Sequence, residues 1–417
     1  MAKQKITVQK KSLGIYVHIP FCRSKCVYCD FYSLPKSQKT VELMDRYVKA
    51  LQRHIREGGA RAPQYEVDTI YFGGGTPSYF GSERLKEVLT EITRRFNVSK
   101  SAEITLEANP DSITDKGCKR LIQAGFNRIS IGVQSNNDQI LKVLGRPHTF
   151  RQAVKSVEIA RTAGFDNLSL DLMYGLPGQS PQQWADCLGS IIDLHPDHIS
   201  AYGLTLMQGT PLYQYQDQAA LPNDDAQASM YLYGVSTMEA YGYHQYEISN
   251  FAKTGRECQH NLKYWMGGEY MSFGPSAASD FAGTRYTFAS NLPQYIKAVD
   301  KGDAITTECE YVPIKERAGE YVMLRMRTVY GIEREEYERT FLMPFAPLEK
   351  VMAFYRGRGL TTYRDGRWHL TPQGMLVSNQ LIGDLLERQE ESSLDQLLPR
   401  ARARFSGSQD GPFVDSV

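Results

Sequence analysis

Residues 16–31 read YVHIPFCRSKCVYCDF, an apolar segment that leads directly into a loop with three cysteines. Cys22, Cys26 and Cys29 follow the spacing Cys-x3-Cys-x2-Cys. Thiolates are soft ligands that suit iron and sulfide, and three of them on one short loop can hold three corners of a 4Fe-4S cluster. The fourth iron is then left open. The segment therefore predicts an iron–sulfur site directly after a strand.

Two other chemistries remain open for this loop. A structural zinc ion usually takes four ligands, and His18 would be the fourth beside the three cysteines. A redox dithiol needs only two cysteines. The other cysteines are scattered singly along the chain, and we expect them to be buried packing residues. They are Cys118, Cys187, Cys258 and Cys309.

Beyond this loop, β-rich runs alternate with amphipathic helical patterns, which favours an α/β fold. Nearly continuous apolar strands with crossover helices predict a parallel sheet, either open or rolled toward a barrel. Gly125 and Gly164 stand where two of the helices should end. The predicted strands are 13–19, 67–72, 102–108, 128–133, 168–173 and 199–206, and the helices are 41–57, 83–96, 115–124, 151–163 and 181–194.

Special residues accompany five successive strands. The cysteine loop follows the first strand, and Gly73-Gly74-Gly75-Thr76-Pro77 follows the second. Glu107 ends the third strand, Gln134 ends the fourth, and Asp171 lies in the fifth. The glycine run lacks the lysine and the spacing of a phosphate-binding P-loop, but glycines allow a close backbone approach. Because parallel strands deliver their carboxyl ends to one rim, we expect a single site there.

Residues 16–31 resemble the cluster loop of radical S-adenosylmethionine (SAM) enzymes, in particular the anaerobic coproporphyrinogen III oxidase family. The resemblance extends over nearly the whole chain and implies a partial (β/α)6 barrel. It also implies that the three cysteines hold a 4Fe-4S cluster whose open iron binds exchangeable SAM. Reductive cleavage of SAM in such enzymes yields methionine and a 5′-deoxyadenosyl radical, so the cofactor carries the chemistry.

The same resemblance implies a set of SAM contacts. The GGGTP segment is similar to the GGE-like motif, which binds the methionine amino group. Arg146 offers a planar guanidinium for the methionine carboxylate, while Gln134 and Asp171 suit ribose hydroxyls. For any one of these positions, a strand-end cap or a salt bridge is the alternative role. The full set is Tyr16, Tyr28, Gly74, Gly75, Thr76, Glu107, Gln134, Arg146, Asp171 and Thr205.

Two features depart from the oxidase pattern. The oxidases carry a fourth cysteine two residues after the third, and Phe31 stands at that position here. The oxidases also have a longer N-terminal extension that helps to form the substrate site, and only 21 residues precede Cys22. Oxygen-independent coproporphyrinogen III oxidation is therefore the alternative function, and we assign no catalytic residue.

The segment HNLKYW at residues 260–265 resembles the HNxxYW motif of HemW-type haem chaperones. Histidine is a common axial ligand of haem iron, and aromatic rings can line a porphyrin. Without the resemblance, one histidine beside aromatic residues is more often a packing or capping residue. The resemblance implies a chaperone that binds haem, a 4Fe-4S cluster and SAM and passes haem to an acceptor protein. The haem candidates are His260, Asn261, Tyr264 and Trp265, with Cys258 as a weaker one.

The 417 residues include 48 basic and 47 acidic side chains, so a net charge of +1 excludes a polyelectrolyte. A hydrophobic fraction of 41% is typical of a globular protein with a sizeable core. The chain has no 18-residue apolar run, and its first residues lack the apolar stretch of a secretory signal, so we expect a cytoplasmic location. The resemblance further implies a homodimer that forms on cluster binding, and membrane association only through the acceptor.

The pattern changes beyond residue 300. Helices are predicted at 314–327, 347–358 and 372–386, with a hairpin around Asp365-Gly366. We therefore expect a barrel domain over 1–300, a small winged-helix-like α+β domain over 301–398 and a disordered tail over 399–417. Winged-helix DNA binding is the alternative for the second domain. Because a concentrated basic stripe is lacking, we expect no nucleic-acid partner.

Overall fold

The computed structural model describes residues 10–214 and 220–391. The chain divides into two compact units, Met1–Val312 and Pro313–Val417. This division lies later than the expected boundary at 300/301, because the strand Thr306–Tyr311 pairs with the strand Thr284–Phe288 of the first unit. The tail expected at 399–417 lies outside the described residues.

Six strands form the centre of the first unit, and neighbouring strands in this part of the sheet are parallel and follow chain order. All six were predicted, with bounds that differ by a few residues at their ends. Side chains at alternate positions are fully buried, which fixes the register of each strand. The strands are β1 (Lys11–Ile19), β2 (Tyr65–Gly74), β3 (Val98–Ala108), β4 (Arg128–Gln134), β5 (Asn167–Tyr174) and β6 (His198–Gly203).

Shorter strands extend the sheet at both sides to twelve strands among the described residues. Tyr270–Phe273 pairs in parallel with β1 and continues through Ala278–Phe281 and Thr284–Phe288 to Thr306–Tyr311. Asn250–Ala252 pairs antiparallel with β6, and His244–Glu247 lies beyond it. The sequence prediction missed these strands because runs this short carry little periodicity. A separate parallel pair joins Phe21–Cys22 to Leu34–Pro35.

The crossover helices confirm the alternating pattern. Their ends have local causes: Ser180 and Gln183 form a capping box, while Gly125 and Gly164 adopt left-handed φ values of 109° and 110° after two helices. The predicted helices are α1 (Thr40–Arg61), α2 (Ser82–Arg95), α3 (Asp115–Ala124), α4 (Phe150–Ala163) and α5 (Pro181–Ile192). The other helices of this unit are Pro77–Phe80, Asp138–Val143, Pro211–Gln214, Asp224–Ala240, Gln259–Trp265 and Leu292–Lys301, with a 3-10 turn at Pro110–Ser112.

The second unit has the predicted α+β character. Its strands are Ile332–Glu333, Thr361–Arg364 and Arg367–Leu370, and the last two form the expected hairpin, with positive φ at both Asp365 and Gly366. The predicted helix 372–386 is interrupted, because Val377 leaves the helical region at φ −109° and ψ 20°. Its helices are Ile314–Arg325, Arg334–Phe341, Ala346–Arg356 and Pro372–Leu376, followed by helical residues 378–391.

Three of the four scattered cysteines are buried as expected, and one is not. Cys309 is exposed because it lies on Thr306–Tyr311, a strand at the edge of the sheet whose residues are all exposed. Among the described residues, no helix is both long and apolar enough to cross a membrane.

Candidate functional site

A cavity of about 380 Å³ lies at the rim where the strands deliver their carboxyl ends. Side chains from five of the parallel strands and from the cysteine loop line it, so the sheet curves around it as a partial barrel requires. Most of the site residues expected from the sequence meet here. They are Cys22, Cys26, Cys29, Tyr28, Gly74, Gly75, Thr76, Glu107, Gln134, Arg146 and Asp171.

The centre of the cysteine loop is hydrogen-bonded to the short helix Pro211–Gln214. The Val27 carbonyl accepts a hydrogen bond of 2.9 Å from the Leu212 N–H. Cys26 is buried, while Cys22 and Cys29 are half-buried. The pKa of Cys29 is raised to about 11, mainly by burial; the neighbouring thiols Cys26 and Cys22 add to this shift, and a backbone hydrogen bond at Phe31 opposes it. A bound metal compensates the charge of thiolate ligands, which is the chemistry of a thiolate-held cluster.

The loop is poorly suited to a single zinc ion. In the described part of the chain, no three Cys, His, Asp or Glu side chains are grouped so that they could hold one metal ion. His18, the expected fourth ligand, has both ring nitrogens engaged: Nε2 lies 2.9 Å from the Tyr32 carbonyl oxygen, and Nδ1 lies 3.2 Å from the Tyr16 hydroxyl. In a 4Fe-4S cluster each cysteine binds a different iron, so the sulfurs need not converge.

The glycine motif packs directly on the cysteine loop. The Gly75 N–H donates to the Ile19 carbonyl (2.9 Å), and the Thr76 N–H donates to the Phe21 carbonyl (2.8 Å). A Cβ atom at Gly75 would lie 2.8 to 2.9 Å from the backbone of Ile19 and Phe21, so only glycine fits. Gly74 adopts φ 110°, which also favours glycine. The motif therefore holds the rim of β2 against the cysteines.

Glu107 is half-buried and binds the glycine motif through hydrogen bonds. Its carboxylate accepts hydrogen bonds from the Tyr71 hydroxyl (2.9 Å) and from the Gly74 N–H (3.1 Å). Burial raises the pKa of Glu107 to about 7, although the two hydrogen bonds oppose this shift. Tyr71 lines the cavity and was not among the candidates, since a strand tyrosine carries no motif signal.

Asp171 sits among serine hydroxyls at the centre of the sheet. Ser130 and Ser200 donate hydrogen bonds of 2.9 and 2.8 Å to its carboxylate. Burial raises the pKa of Asp171, and these hydroxyls lower it. One carboxylate oxygen, Oδ1, receives both of these bonds, so Asp171 is held in one orientation within the cavity wall.

Arg146 does not present the free fork that was expected. Its Nη2 donates to the Gly132 carbonyl (2.6 Å) and to the Asn109 amide oxygen (2.7 Å), and Nη1 lies 3.6 Å from the Cys26 sulfur. Its buried Nε has no partner. Both terminal nitrogens of Arg146 therefore contact other residues of the protein, and through Cys26 Arg146 contacts the cysteine loop. Asn109, which the sequence analysis missed, also donates to the Thr76 hydroxyl (3.0 Å); its place directly after β3 was the available signal.

Three further SAM candidates have different positions. Gln134 lines the cavity with a positive φ of 68°, an uncommon conformation for a residue other than glycine. Tyr16 does not line the cavity; its ring stacks on Tyr71 at 6.3 Å between centroids. Thr205 is exposed in the loop after β6 and does not line the cavity either. Direct SAM contacts of Tyr16 and Thr205 stay predictions.

The HNLKYW segment forms the helix Gln259–Trp265, here called the floor helix, at the opposite end of the strands. The Glu103 carboxylate accepts hydrogen bonds from the Gln259 and His260 N–H groups, both at 3.1 Å, and so caps the first turn. Lys263 pairs with Asp68 at 2.9 Å. Asp68 and Glu103 precede the cavity-lining Gly74 and Glu107 on β2 and β3, so this helix contacts the two strands away from their carboxyl ends.

His260 is buried beneath the sheet, and its ring does not line the cavity. Nδ1 lies 2.9 Å from the Thr69 hydroxyl, and Nε2 lies 2.8 Å from the Tyr264 hydroxyl. Burial lowers the pKa of His260 to about 3, with Lys263 and Arg128 adding to the shift. Both ring nitrogens thus have partners within the protein, and axial haem ligation by His260 stays a prediction. Tyr264 and Trp265 are half-buried without lining the cavity, and of the four haem candidates Asn261 does line it.

The comparisons with known proteins agree with this geometry. A family model described as the radical SAM superfamily matches residues 16–191, and one described as the HemN C-terminal domain matches residues 312–377. The heme chaperone HemW of Bacillus subtilis is 35% identical over 378 residues, which cover 89% of this chain and 98% of that protein. This chain belongs to the HemW family within the radical SAM superfamily.

Other relatives place the family in context. HemW of Haemophilus influenzae is 33% identical, covering 89% of this chain and 97% of its own length. A mitochondrial radical S-adenosyl methionine domain-containing protein 1 from Danio rerio is 37% identical over 67% of this chain and 63% of its own. The solved structure of Escherichia coli coproporphyrinogen III oxidase (HemN) aligns with a TM-score of 0.79 at 22% identity, covering 91% and 90% of the two chains. At that identity the HemN likeness shows the shared fold.

Membership of the radical SAM superfamily implies a 4Fe-4S cluster and SAM. The donor set fits the cluster, since three cysteines lie on one loop at the edge of the cavity. Gly74, Gly75 and Thr76 of the glycine motif line the same cavity beside them.

Proposed function

We propose that this chain is a haem chaperone that binds haem, together with a 4Fe-4S cluster and SAM, and passes the haem to an acceptor protein. The observation that carries the proposal is the end-to-end similarity to HemW proteins named as heme chaperones, which extends over 98% of the Bacillus subtilis protein. Phe31 supports it, because an apolar side chain occupies the position of the oxidases' fourth cysteine. A cytoplasmic location remains part of this proposal.

Cys22, Cys26 and Cys29 would hold the cluster through three of its irons, and SAM would complete the fourth. When bound, the cluster supplies the electron for reductive cleavage of SAM. The thiols are positioned for this by the backbone contacts of the glycine motif with Ile19 and Phe21. Hydrogen-bond donors at the remaining sulfur lone pairs would set the electronic properties of the cluster.

The cavity wall beside the cysteines would bind SAM. Gly74, Gly75 and Thr76 line the cavity at the cluster end. Gln134 and Asp171 face the same space and suit hydroxyl groups of a ribose. Because serine hydroxyls hold Asp171 in place, the site is organised before any ligand arrives.

The open edge of the cavity is our proposed haem-docking surface. Phe31 and Tyr202 line the cavity yet are 62% and 40% exposed, so they lie at its mouth and offer aromatic surface to a porphyrin. Lys25 also lines the mouth and is exposed, which places a cation where a haem propionate would lie. Asn261 of the HNLKYW segment lines the same cavity.

An anaerobic titration of the reconstituted protein with haem, followed in the Soret region, tests the proposal. We expect saturable binding near one haem per chain. The oxidase alternative predicts protoporphyrinogen formation from coproporphyrinogen III under anaerobic conditions with SAM and a reductant. That product, without saturable haem binding, would contradict the chaperone function. Gel filtration before and after cluster reconstitution tests the proposed cluster-dependent homodimer.

A further inference from the structure

One amide side chain connects two of the three cysteine sulfurs. Asn109 Nδ2 donates to Thr76 Oγ1 at 3.0 Å, and Thr76 Oγ1 lies 3.5 Å from the Cys22 sulfur. On the other side, Asn109 Oδ1 accepts from Arg146 Nη2 at 2.7 Å, and Arg146 Nη1 lies 3.6 Å from the Cys26 sulfur. A continuous hydrogen-bonded path therefore runs from one thiol to the other through Asn109.

The donor directions along this path are fixed. The Asn109 amide nitrogen can only donate, so it occupies an acceptor position of the Thr76 hydroxyl and directs the hydroxyl hydrogen toward Cys22. The guanidinium of Arg146 can only donate, so the Asn109 oxygen holds one terminal nitrogen and turns the other toward Cys26. Arg146 is also held by the Gly132 carbonyl, which makes its plane rigid.

Asn109 is itself anchored independently of the thiols. Its backbone N–H donates to the Ser78 hydroxyl at 3.1 Å, and its carbonyl oxygen accepts from the Ser112 hydroxyl at 2.9 Å. These two bonds hold the loop after β3, while the side-chain amide faces the cavity. Backbone anchoring and side-chain function can therefore be separated by mutation.

We propose that Asn109 is a positioning residue that sets the reduction potential of the cluster by orienting one donor toward each of two thiolate ligands. The inference rests on the proposed cluster site. Hydrogen bonds to cluster sulfurs stabilise the reduced cluster, which carries more negative charge, and so raise its reduction potential. Losing the orientation of Thr76 and Arg146 lowers the potential.

The test is an anaerobic redox titration of the reconstituted full-length protein, with the reduced cluster followed by electron paramagnetic resonance. Asn109→Ala changes no charge, and the variant should retain iron. The midpoint potential of its cluster should be more negative than that of the unsubstituted protein. Ser112→Ala is the matched control, because it perturbs the same loop through the backbone and leaves the amide in place. Its midpoint should stay at the unsubstituted value.

A double-mutant comparison tests whether Asn109 acts on the cluster through the Thr76 hydroxyl. Thr76→Val removes the hydroxyl that faces Cys22, so adding Asn109→Ala to it should produce a smaller shift than Asn109→Ala alone. Equal shifts in both backgrounds, or an Asn109→Ala midpoint matching that of Ser112→Ala, would overturn the inference. If Asn109→Ala does not retain iron, Asn109→Ser is measured by the same criteria. Absence of iron in the unsubstituted reconstituted protein would instead contradict the cluster site itself.

Discussion

Gly75 connects the glycine motif to the cysteine loop because it has no side chain. Its φ is not in the left-handed region, so the requirement is one of space: a Cβ would meet backbone atoms of Ile19 and Phe21 at 2.8 to 2.9 Å. Backbone atoms cannot swing aside as a flexible side chain can. The glycine run was interpreted correctly from the sequence as a place of close approach, but the partner of that approach is the protein's own loop.

We predict that Gly75→Ala lowers the free energy of unfolding by about 1 to 3 kcal/mol, as expected for an added methyl group in a filled space. Gly189→Ala is the matched control, since this residue of α5 has nothing within 4 Å of its Cβ position. Because alanine has a higher helix propensity than glycine, the control should be up to about 1 kcal/mol more stable than the unsubstituted protein. Chemical denaturation of both variants checks this, and equal stability of the two would contradict the steric argument.

Cys29→Ala should abolish cluster binding, because a loop with two thiolates no longer holds three iron corners. After anaerobic reconstitution we expect loss of iron and of the broad visible absorbance. Cys309→Ala is the control, since this exposed cysteine lies on an edge strand away from the cavity. Iron retained in Cys29→Ala at the level of Cys309→Ala would refute the ligand assignment.

At the level of elements, the floor helix shows that the same motif can fit two roles. The HNLKYW sequence suits a haem-binding segment and also a helix with a buried structural histidine. The local sequence does not specify which residues the fold brings into contact with it. Thr69 on β2 and Glu103 on β3 are remote in the chain, yet they bind the His260 ring and the first helical turn. The structural role depended on contacts that the sequence pattern does not contain.

His260→Ala should destabilise the protein by about 2 to 4 kcal/mol, because it removes two hydrogen bonds and leaves the Thr69 and Tyr264 hydroxyls without their partner. The control is His244→Ala, in which an exposed histidine is replaced at a cost within about 0.5 kcal/mol. Denaturant unfolding measures both. A His260→Ala variant as stable as the control would contradict the buried role.

The hairpin of His244–Glu247 and Asn250–Ala252 carries a buried carboxyl group, that of Glu247. Glu247 accepts hydrogen bonds from the Ser249 N–H (2.8 Å) and from the Asn250 amide. Burial nevertheless raises the pKa of Glu247 to about 7. The folded state therefore keeps a proton that the unfolded state releases near its ordinary pKa, so this group's contribution to stability falls as the pH rises through that window.

We predict that the free energy of unfolding of Glu247→Gln, relative to that of the unsubstituted protein, rises by about 2 kcal/mol between pH 5 and pH 8. Denaturation of the two proteins across this range measures the difference. Glu87→Gln, on the exposed face of α2, is the control and should keep a constant difference. If the difference in unfolding free energy is constant for Glu247→Gln as well, the Glu247 carboxyl group has the same pKa in the folded and unfolded states, which would contradict the prediction.

At the scale of the whole molecule, alternating periodicity predicted the six central strands and their helices because long strands and capped helices carry strong local signals. The cysteine spacing and the strand-end residues predicted most of the cavity wall. Asn109 and Tyr71 escaped prediction because their roles depend on neighbours from other strands. The boundary at Pro313 escaped it because a short, exposed edge strand, Thr306–Tyr311, completes the first unit.

The central claim is that haem docks at the mouth of the cavity, beside the cluster loop. Parallel anaerobic haem titrations of Phe31→Ala, Phe354→Ala and His260→Gln test it most directly, since Phe354 is a comparably exposed phenylalanine in the second unit. We predict about tenfold weaker binding for Phe31→Ala, the effect of losing about 1.4 kcal/mol of aromatic contact, and unchanged binding for the other two. Unchanged affinity in Phe31→Ala with loss of binding in His260→Gln would contradict the account.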